Sequence, residues 1–222
     1  MSYRITGTGS CIPDITKKNS DFLKNKFLDI DGGKFQSSNS EIIDKFNSIT
    51  GIYERRYAPD EINSSDLAAV AAGIAINDSK LDQETLDYII VAHNTGDISC
   101  SSGQVDTLPS IASRVKAKLK IKNPNCVAYD IICGCPGWVE GIIQAKSFIK
   151  SGMAKKCLVI GCDTLSRILD ENDRDSMIYA DGSGAIVLES DSSYDGGILS
   201  HKSATFTYEG ENDYIFYGSS YD

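Results

Sequence analysis

The residue with the clearest chemical potential is a cysteine that lies where a strand pattern changes into a helical one. Residues 126–132 form a short apolar run with β-branched side chains, which predicts a buried strand. Pro136 is typical of the first turn of a helix, and apolar residues then recur at helical spacing, which predicts a helix from 139 to about 150. Cys135 is therefore expected at a sharp turn, just before a helix N-terminus.

That position would suit a nucleophilic thiol. The free N–H groups and the positive end of the helix dipole favour the thiolate, which is the attacking form of cysteine. The same N–H groups can receive the negative oxygen that forms when a carbonyl is attacked. We therefore predict an acyl-transfer site at Cys135, although the spacing alone leaves an inert role equally open. The inert, buried role is the prediction for the cysteines in or beside other apolar runs, namely Cys126, Cys133, Cys157 and Cys162.

Other cysteine chemistries fit the sequence poorly. A phosphatase loop needs an arginine six residues after its cysteine, and that position is Gly141. The signature of papain-like proteases has one more residue between its two cysteines than Cys133 and Cys135 have, and it needs a distant downstream histidine. A zinc site would need two Cys/His pairs at suitable spacing, so we predict no metal.

Several motifs along the chain share the order and approximate spacing of one known family. They are residues 5–13, Thr50-Gly51-Ile52-Tyr53-Glu54-Arg55-Arg56, Tyr129-Asp130 five residues before Cys135, Lys150-Ser151-Gly152, the strand 157–161, Asp173-Arg174 and Asp181-Gly182-Ser183-Gly184-Ala185. Together they resemble the β-ketoacyl-acyl-carrier-protein synthase III group of condensing enzymes, which has the thiolase fold. The resemblance covers nearly the whole chain.

This resemblance implies a fold and an activity. The fold class would be α/β, a layered thiolase-like fold with a mixed β-sheet and a buried helix that carries the nucleophile. Residues 1–190 would form the first of two similar halves, and 191–222 the start of an incomplete second half. Cys135 would take an acyl group from a thioester and pass it to a malonyl-carrier thioester in a decarboxylative Claisen condensation. The substrates would be acyl-CoA or acyl-carrier-protein thioesters, no cofactor would be required, and the partners would be an acyl carrier protein and a second copy of the chain.

The resemblance also assigns substrate contacts. Arg174 matches an arginine that contacts the coenzyme A nucleotide, and Leu108 lies where the family places an aromatic residue that closes the partner subunit's acyl pocket. A tryptophan and an arginine expected before Thr50 are replaced by Lys45 and Ile49, which favours an acyl group already on a carrier protein over coenzyme A.

The family takes its catalytic histidine and asparagine from the second half, most of which this chain does not span. His93 and His201 do not match that histidine, so a structural role is expected for both. Two alternatives therefore stay open beside the condensing enzyme. One is an acyltransferase without carbon–carbon bond formation, and the other is a non-catalytic subunit that shapes a partner's pocket.

Composition limits the remaining possibilities. With 222 residues, 41% of them hydrophobic, the chain is long enough for a substantial core. The net charge of -9 argues against a nucleic-acid-binding surface, and no apolar run is long enough for a membrane span. Seven cysteines scattered through apolar segments are typical of the reducing cytoplasm rather than of a disulfide framework.

Around the cysteine the pattern alternates strands and helices, as in an α/β layered fold. The remaining expected elements are a strand at 3–8, a helix and extended loop over 14–40, a short helix over 42–46, a helix capped by Ser64 or Ser65 and buried on both faces, a central strand at 87–93, a polar loop over 94–106, a helix over 109–121, strands at 156–162 and 185–189, and one or two strands within 198–217.

Overall fold

The computed structural model describes residues 2–29 and 32–208. The strands of this part are β1 Tyr3–Cys11, β2 Ile15–Lys18, β3 Glu54–Tyr57, β4 Tyr88–His93, β5 Asp97–Ile98, β6 Val105–Asp106, β7 Val127–Ile132, β8 Lys156–Thr164 and β9 Asp181–Ser190. Its α-helices are α1 Asn39–Thr50, α2 Ser64–Ser79, α3 Ile111–Lys118 and α4 Gly137–Ser151. Short 3₁₀ helices cover Asn19–Phe22, Gln83–Thr85, Leu165–Arg167 and Arg174–Ile178.

Five strands form one mixed sheet in the order β1-β9-β8-β4-β7. The pairs β8–β4 and β4–β7 are parallel, whereas β9 runs antiparallel to both β1 and β8. Because β4 and β8 lie inside the sheet, both of their faces are covered, which explains why their sequences read as continuous apolar runs rather than alternating ones.

Helices cover both faces of this sheet, so the core has two parts. On one face Ile89, Val91 and Leu158 pack with α2 and α3. On the other face Ile90 and Val159 pack with α4. Neighbouring residues of one strand thus enter opposite cores, as the two-residue period of a β-strand requires. The layered α/β fold expected from the sequence is confirmed.

Helix α2 approaches β1 unusually closely. A Cβ atom on Gly7 would lie 2.1 Å from the Ala75 carbonyl oxygen, and one on Gly9 would lie 2.2 Å from the Ala71 carbonyl oxygen. Only glycine fits at these two strand positions, because any side chain would collide with the helix backbone.

Two expectations about burial were wrong. Strand β7 was expected to be buried, but it lies at the sheet edge and exposes Val127 and Ile132. Helix α2 was expected to be buried on both faces, but Val70 and Ile74 are about half exposed, at 52% and 46%. Its N-cap is Asn63 rather than Ser64 or Ser65, and Asp66 completes a capping box there.

The segment before α1 also differs from expectation. Within the described part of residues 14–40, the expected helix is replaced by β2 and a single 3₁₀ turn, Asn19–Phe22. Strand β2 pairs with β3, and the turn places Phe22 in a small third core with Phe46 of α1. Tertiary contacts therefore override a weak helical pattern here.

The strands expected within 198–217 are absent from residues 198–208, and 209–217 lie outside the described residues, as does the rest of the expected second half to 222. Among the described residues, no helix combines the length and apolar character that a membrane crossing requires.

Candidate active site

Cys135 lies on a tight turn between β7 and α4. Gly134 has a φ of +65°, in the left-handed region that favours glycine. The Gly137 N–H donates to the Gly134 carbonyl at 3.0 Å and closes the turn, and Pro136 is the N-cap of α4. The predicted position at a helix N-terminus is confirmed, but the helix end offers fewer free N–H groups than expected. Pro136 has none, and that of Gly137 is already used.

The cysteine side chain is exposed and faces an open pocket of about 310 Å³. The pocket lies where the carboxyl ends of β4 and β8 meet the beginning of β9. Its lining residues are Ala92, Gly134, Cys135, Trp138, Gly161, Cys162, Asp163, Leu165, Ala180, Asp181, Gly182, Ser183 and Gly184. A small acyl group or the end of a thioester could enter this space and reach the sulfur.

Glycines let α4 lie close to the sheet beneath this pocket. A Cβ on Gly141 would lie 2.9 Å from Val159 Cγ1, and one on Gly161 of β8 would lie 3.3 Å from Trp138 Cδ1. The indole of Trp138 therefore packs directly over the β8 backbone. Its Nε1 is buried and has no hydrogen-bond partner among the described residues.

Asp130 anchors the start of α3 rather than facing the substrate pocket. Its carboxylate accepts the N–H groups of Ile111 at 2.7 Å and Ala112 at 2.8 Å, which are otherwise unpaired at a helix N-terminus. His93 Nε2 lies 3.0 Å from the same carboxylate. Since the Gly96 N–H donates to Nδ1 at 2.9 Å, Nε2 carries the proton and donates to Asp130. His93 is thus a buried structural residue, as expected.

Two carboxylates at the pocket wall are engaged with loops. Asp163 accepts from the backbone N–H and the side-chain amide of Asn94, at 2.8 and 2.7 Å. Burial nevertheless raises the pKa of Asp163, and the hydrogen bonds from Asn94 oppose that rise. Asp181 accepts the Ala58 N–H at 2.7 Å and both the N–H and the hydroxyl of Ser166. These acids fix the pocket's shape.

Tyr179 is a neighbour of the cysteine that the sequence did not indicate. Burial raises the pKa of its phenol, and the electrostatic interaction with Cys135 acts in the same direction. The phenol is therefore protonated at neutral pH. In the sequence, the only feature that could have indicated Tyr179 was its position just before the Asp181-Gly182 motif.

The other cysteines differ in their exposure. Burial raises the pKa of Cys126, that of Cys157 to about 12, and that of Cys162 well above its usual value, so the buried position expected for these three is confirmed, and their inert role stays a prediction. Cys133 was expected to be buried as well and is exposed, because β7 ends at the open edge of the sheet.

The residues predicted to contact substrate do not gather at the pocket. Leu108 is 82% exposed and does not line it. Arg174 also lies outside it, with its guanidinium 4.9 Å from the centre of the Phe35 ring and its Nε 3.7 Å from an Asp175 oxygen. Whether either residue binds substrate stays a prediction.

The described residues contain no histidine beside Cys135. His93 is engaged with Asp130, and His201 is exposed, 3.4 Å from Lys146 Nζ. Within residues 2–29 and 32–208, no three metal-ligating side chains cluster together. The geometry therefore supplies an exposed thiol beside a pocket, with no histidine near the sulfur in this part of the chain.

Comparisons with known proteins agree with this geometry. Residues 129–206 match the family model for 3-oxoacyl-[acyl-carrier-protein] synthase III. The β-ketoacyl-[acyl-carrier-protein] synthase III of Neisseria gonorrhoeae is 40% identical over 190 residues, which cover 85% of this chain and 52% of that protein.

Solved structures give the same result. The 3-oxoacyl-[acyl-carrier-protein] synthase III of Aquifex aeolicus matches with a TM-score of 0.68 and 33% identity, covering 86% of this chain and 55% of that one. The synthase III of Pseudomonas aeruginosa matches with a TM-score of 0.71 and 29% identity, covering 90% and 54%. This chain thus spans about half the length of the relatives it matches. Over most of its length, the chain has the thiolase-type fold of these proteins and is similar to the β-ketoacyl-[acyl-carrier-protein] synthase III family.

Proposed function

We propose that Cys135 is the acyl-accepting nucleophile of a condensing enzyme of fatty-acid or polyketide-type synthesis. The observation that carries this proposal is the exposed Cys135 sulfur, which lies between a helix N-terminus and an open pocket. The thiolate attacks the carbonyl carbon of an acyl thioester and forms a new carbon–sulfur bond. The original carbon–sulfur bond then breaks, and the leaving thiolate takes a proton from water.

The second half-reaction needs groups beyond this pocket. Decarboxylation of a malonyl-carrier thioester leaves an enolate, and its charge needs positioned hydrogen-bond donors. The described residues place no histidine near the sulfur, since His93 is engaged with Asp130 and His201 lies beside Lys146. We therefore infer that condensation requires a complementary segment that supplies the family's histidine and asparagine. Acyl transfer alone does not require it.

The acyl donor that we favour is a carrier-protein thioester. The aromatic ring of Phe35 already lies over the guanidinium of Arg174. This arginine is therefore less available to a nucleotide base than an arginine without an aromatic neighbour would be. Ile49, where the family has an arginine, is 73% exposed and offers no charge for a nucleotide phosphate. Leu108, exposed on a loop, is proposed to contact the acyl chain bound by a second subunit.

The exposed edge of the sheet supports a homodimer that forms through β7. This edge strand exposes Val127 and Ile132, and an apolar sheet edge is a ready template for pairing with another strand. The free state of all seven cysteines supports a reducing, cytoplasmic location.

Acylation provides the direct test. The reduced chain is incubated with acetyl and longer acyl thioesters of coenzyme A and of acyl carrier protein, and its intact mass is measured. We expect one acyl adduct, absent from Cys135→Ala and retained by Cys100→Ala, a matched exposed cysteine. Failure of the wild-type chain to form an adduct would overturn the nucleophile and favour a non-catalytic subunit.

Carbon dioxide release then separates two enzyme classes. The acylated chain is combined with labelled malonyl-carrier thioester, with and without a polypeptide that corresponds to the rest of a synthase III relative. Release of label only in the complete assembly would support condensation. Acyl transfer to an alcohol or amine without release of label, in the complete assembly, would instead support an acyltransferase.

A further inference from the structure

The second cysteine beside the nucleophile has no role in the proposed acyl transfer. Cys133 and Cys135 flank Gly134, and both are exposed and free, whereas Cys126, Cys157 and Cys162 are buried. Because the Cys133 side chain is exposed, core packing does not require a thiol at this position, two residues from the proposed nucleophile.

The chain turns at the residue between the two cysteines. Gly134 has a φ of +65°, in the left-handed region, so the Cα atoms on either side of it lie closer together than the roughly 7.6 Å that two steps of 3.8 Å would span in a straight line. Disulfides span Cα separations of about 4.4–6.8 Å. A residue with a side chain would be strained at Gly134, so the glycine maintains this close approach.

Cys133 does not itself line the pocket, but its Cβ lies near a residue that does. A Cβ built on Gly137 would lie 3.2 Å from the Ala92 Cβ and 3.5 Å from the Cys133 Cβ. Ala92 lines the same pocket as Cys135. Because Gly137 has no side chain, none of its atoms fills the space between Ala92 and Cys133.

We propose that Cys133 is a resolving cysteine, which forms a reversible disulfide with Cys135 when the chain meets a hydroperoxide. The Cys135 thiolate attacks the terminal peroxide oxygen, the O–O bond breaks, and the alkoxide or hydroxide leaves and takes a proton. Cys135 is then a sulfenic acid. The Cys133 thiolate attacks that sulfur, the S–S bond forms, the S–O bond breaks, and hydroxide leaves as water after protonation. The hydroperoxide is reduced by two electrons, and the two thiols are oxidised.

This chemistry would protect the proposed nucleophile. A sulfenic acid without a nearby thiol proceeds to sulfinic acid, which ordinary thiols do not reduce, whereas a disulfide returns to two thiols in the presence of a dithiol. Acylation would stop while the disulfide is present and would resume on reduction. The proposal rests on the same reactive sulfur as the proposed function, and it adds regulation of that site.

The test exposes the reduced chain to hydrogen peroxide, blocks free thiols with iodoacetamide and maps peptides by mass. We expect a loss of about 2 Da, assigned to a Cys133–Cys135 link, and recovery of most acylation after treatment with dithiothreitol. Cys133→Ser should instead gain about 32 Da at Cys135 as sulfinic acid and should not recover. Cys100→Ser is the matched control and should behave like the wild-type chain.

Each outcome bears on a separate claim. Acylation of the reduced chain without a Cys133–Cys135 link after peroxide would overturn the resolving role and leave the proposed function intact. A link in a chain that is never acylated would support the disulfide and overturn the proposed function. Equal loss and recovery in wild type and Cys133→Ser, or pairing of either cysteine with Cys100, would also overturn the resolving role.

Discussion

Gly141 offers the sharpest test of how α4 is held against the sheet. The residue is buried in the first half of α4, and a Cβ there would lie 2.9 Å from Val159 Cγ1 and 3.5 Å from Ile90 Cγ2. Carbon atoms in contact prefer about 3.5–4.0 Å, so Gly141→Ala requires a movement of about 0.6–1 Å. Val159 cannot easily yield, because it is β-branched and lies on the interior strand β8.

Two opposing terms set the magnitude for Gly141→Ala. Alanine in a helix interior is about 1 kcal/mol more favourable than glycine, whereas overpacking a close-packed core costs about 1–3 kcal/mol. Ile90 restricts the same space from a second strand. The upper part of the overpacking range therefore applies, and we expect the free energy of unfolding to fall by about 1–2 kcal/mol.

Gly73 in α2 is the matched control. A Cβ there would meet only Leu119 Cδ2, at an ordinary contact distance of 3.8 Å. Gly73→Ala should therefore raise the free energy of unfolding by about 0.5–1 kcal/mol, the reverse of the effect at Gly141. Urea denaturation measures both variants. In a chain of this size, 1 kcal/mol corresponds to about 2–4 °C in Tm, so a thermal scan should separate them.

The same variant should affect the site. Displacing α4 by a large fraction of an ångström also displaces Cys135 relative to the pocket, and such misplacement can cost about tenfold or more in rate. We expect slower acylation in Gly141→Ala and an unchanged rate in Gly73→Ala. Stabilisation by both substitutions would refute the packing argument, since it would mean that α4 accommodates a methyl group without cost.

Further substitutions test charge burial and the sheet edge. Asp97→Ala removes one of the two carboxylates that pair with Arg114 at 2.8 Å and leaves the buried N–H and hydroxyl of Ser65 without their acceptor, so it should lower the free energy of unfolding by about 2 kcal/mol in urea denaturation; a loss below about 1 kcal/mol would contradict this. Burial raises the pKa of Asp163, so the folded state holds its proton more tightly, and this group's contribution to stability is lost as pH rises above its ordinary range near 3.8. The stability of Asp163→Asn relative to wild type should therefore increase from pH 4 to 7, and a flat difference would refute the sign. Ile132→Lys places a charge on the exposed edge of β7 and should reduce self-association in sedimentation experiments without loss of helical signal, whereas unchanged association would argue against β7 as the interface.

The elements that could be predicted from sequence are those with strong local signals. Strands β4 and β8 are continuous apolar runs, and α4 follows a proline, so their type and approximate bounds were confirmed. The segment before α1 carries no comparable signal, since its structure depends on β2 pairing with β3 from 36 or more residues away. Burial of β7 and α2 was wrong for a related reason. An apolar pattern indicates that a surface is suited to burial. The pattern does not show whether another segment among the described residues covers that surface.

At the candidate site, the position of Cys135 could be predicted but its surroundings could not. Cys135 lies between two local signals, the strand before it and Pro136 after it. Asp163 reaches the pocket, and Asn94 reaches Asp163, through sheet topology, which local patterns do not encode. Exposure of Cys133 follows from the position of β7 in the strand order, which also lies beyond local pattern.

The contact between α2 and β1 bears on how mutational tolerance should be interpreted in this chain. Positions 7 and 9 admit no side chain, because the carbonyl oxygens of Ala75 and Ala71 occupy the space where a Cβ would be. A saturation scan would therefore rank these two glycines with the proposed nucleophile, Cys135, although neither glycine lines the pocket. Scoring abundance separately from acylation would distinguish them: variants at the glycines would disappear from the cell, and Cys135→Ala would accumulate as a folded, inactive protein.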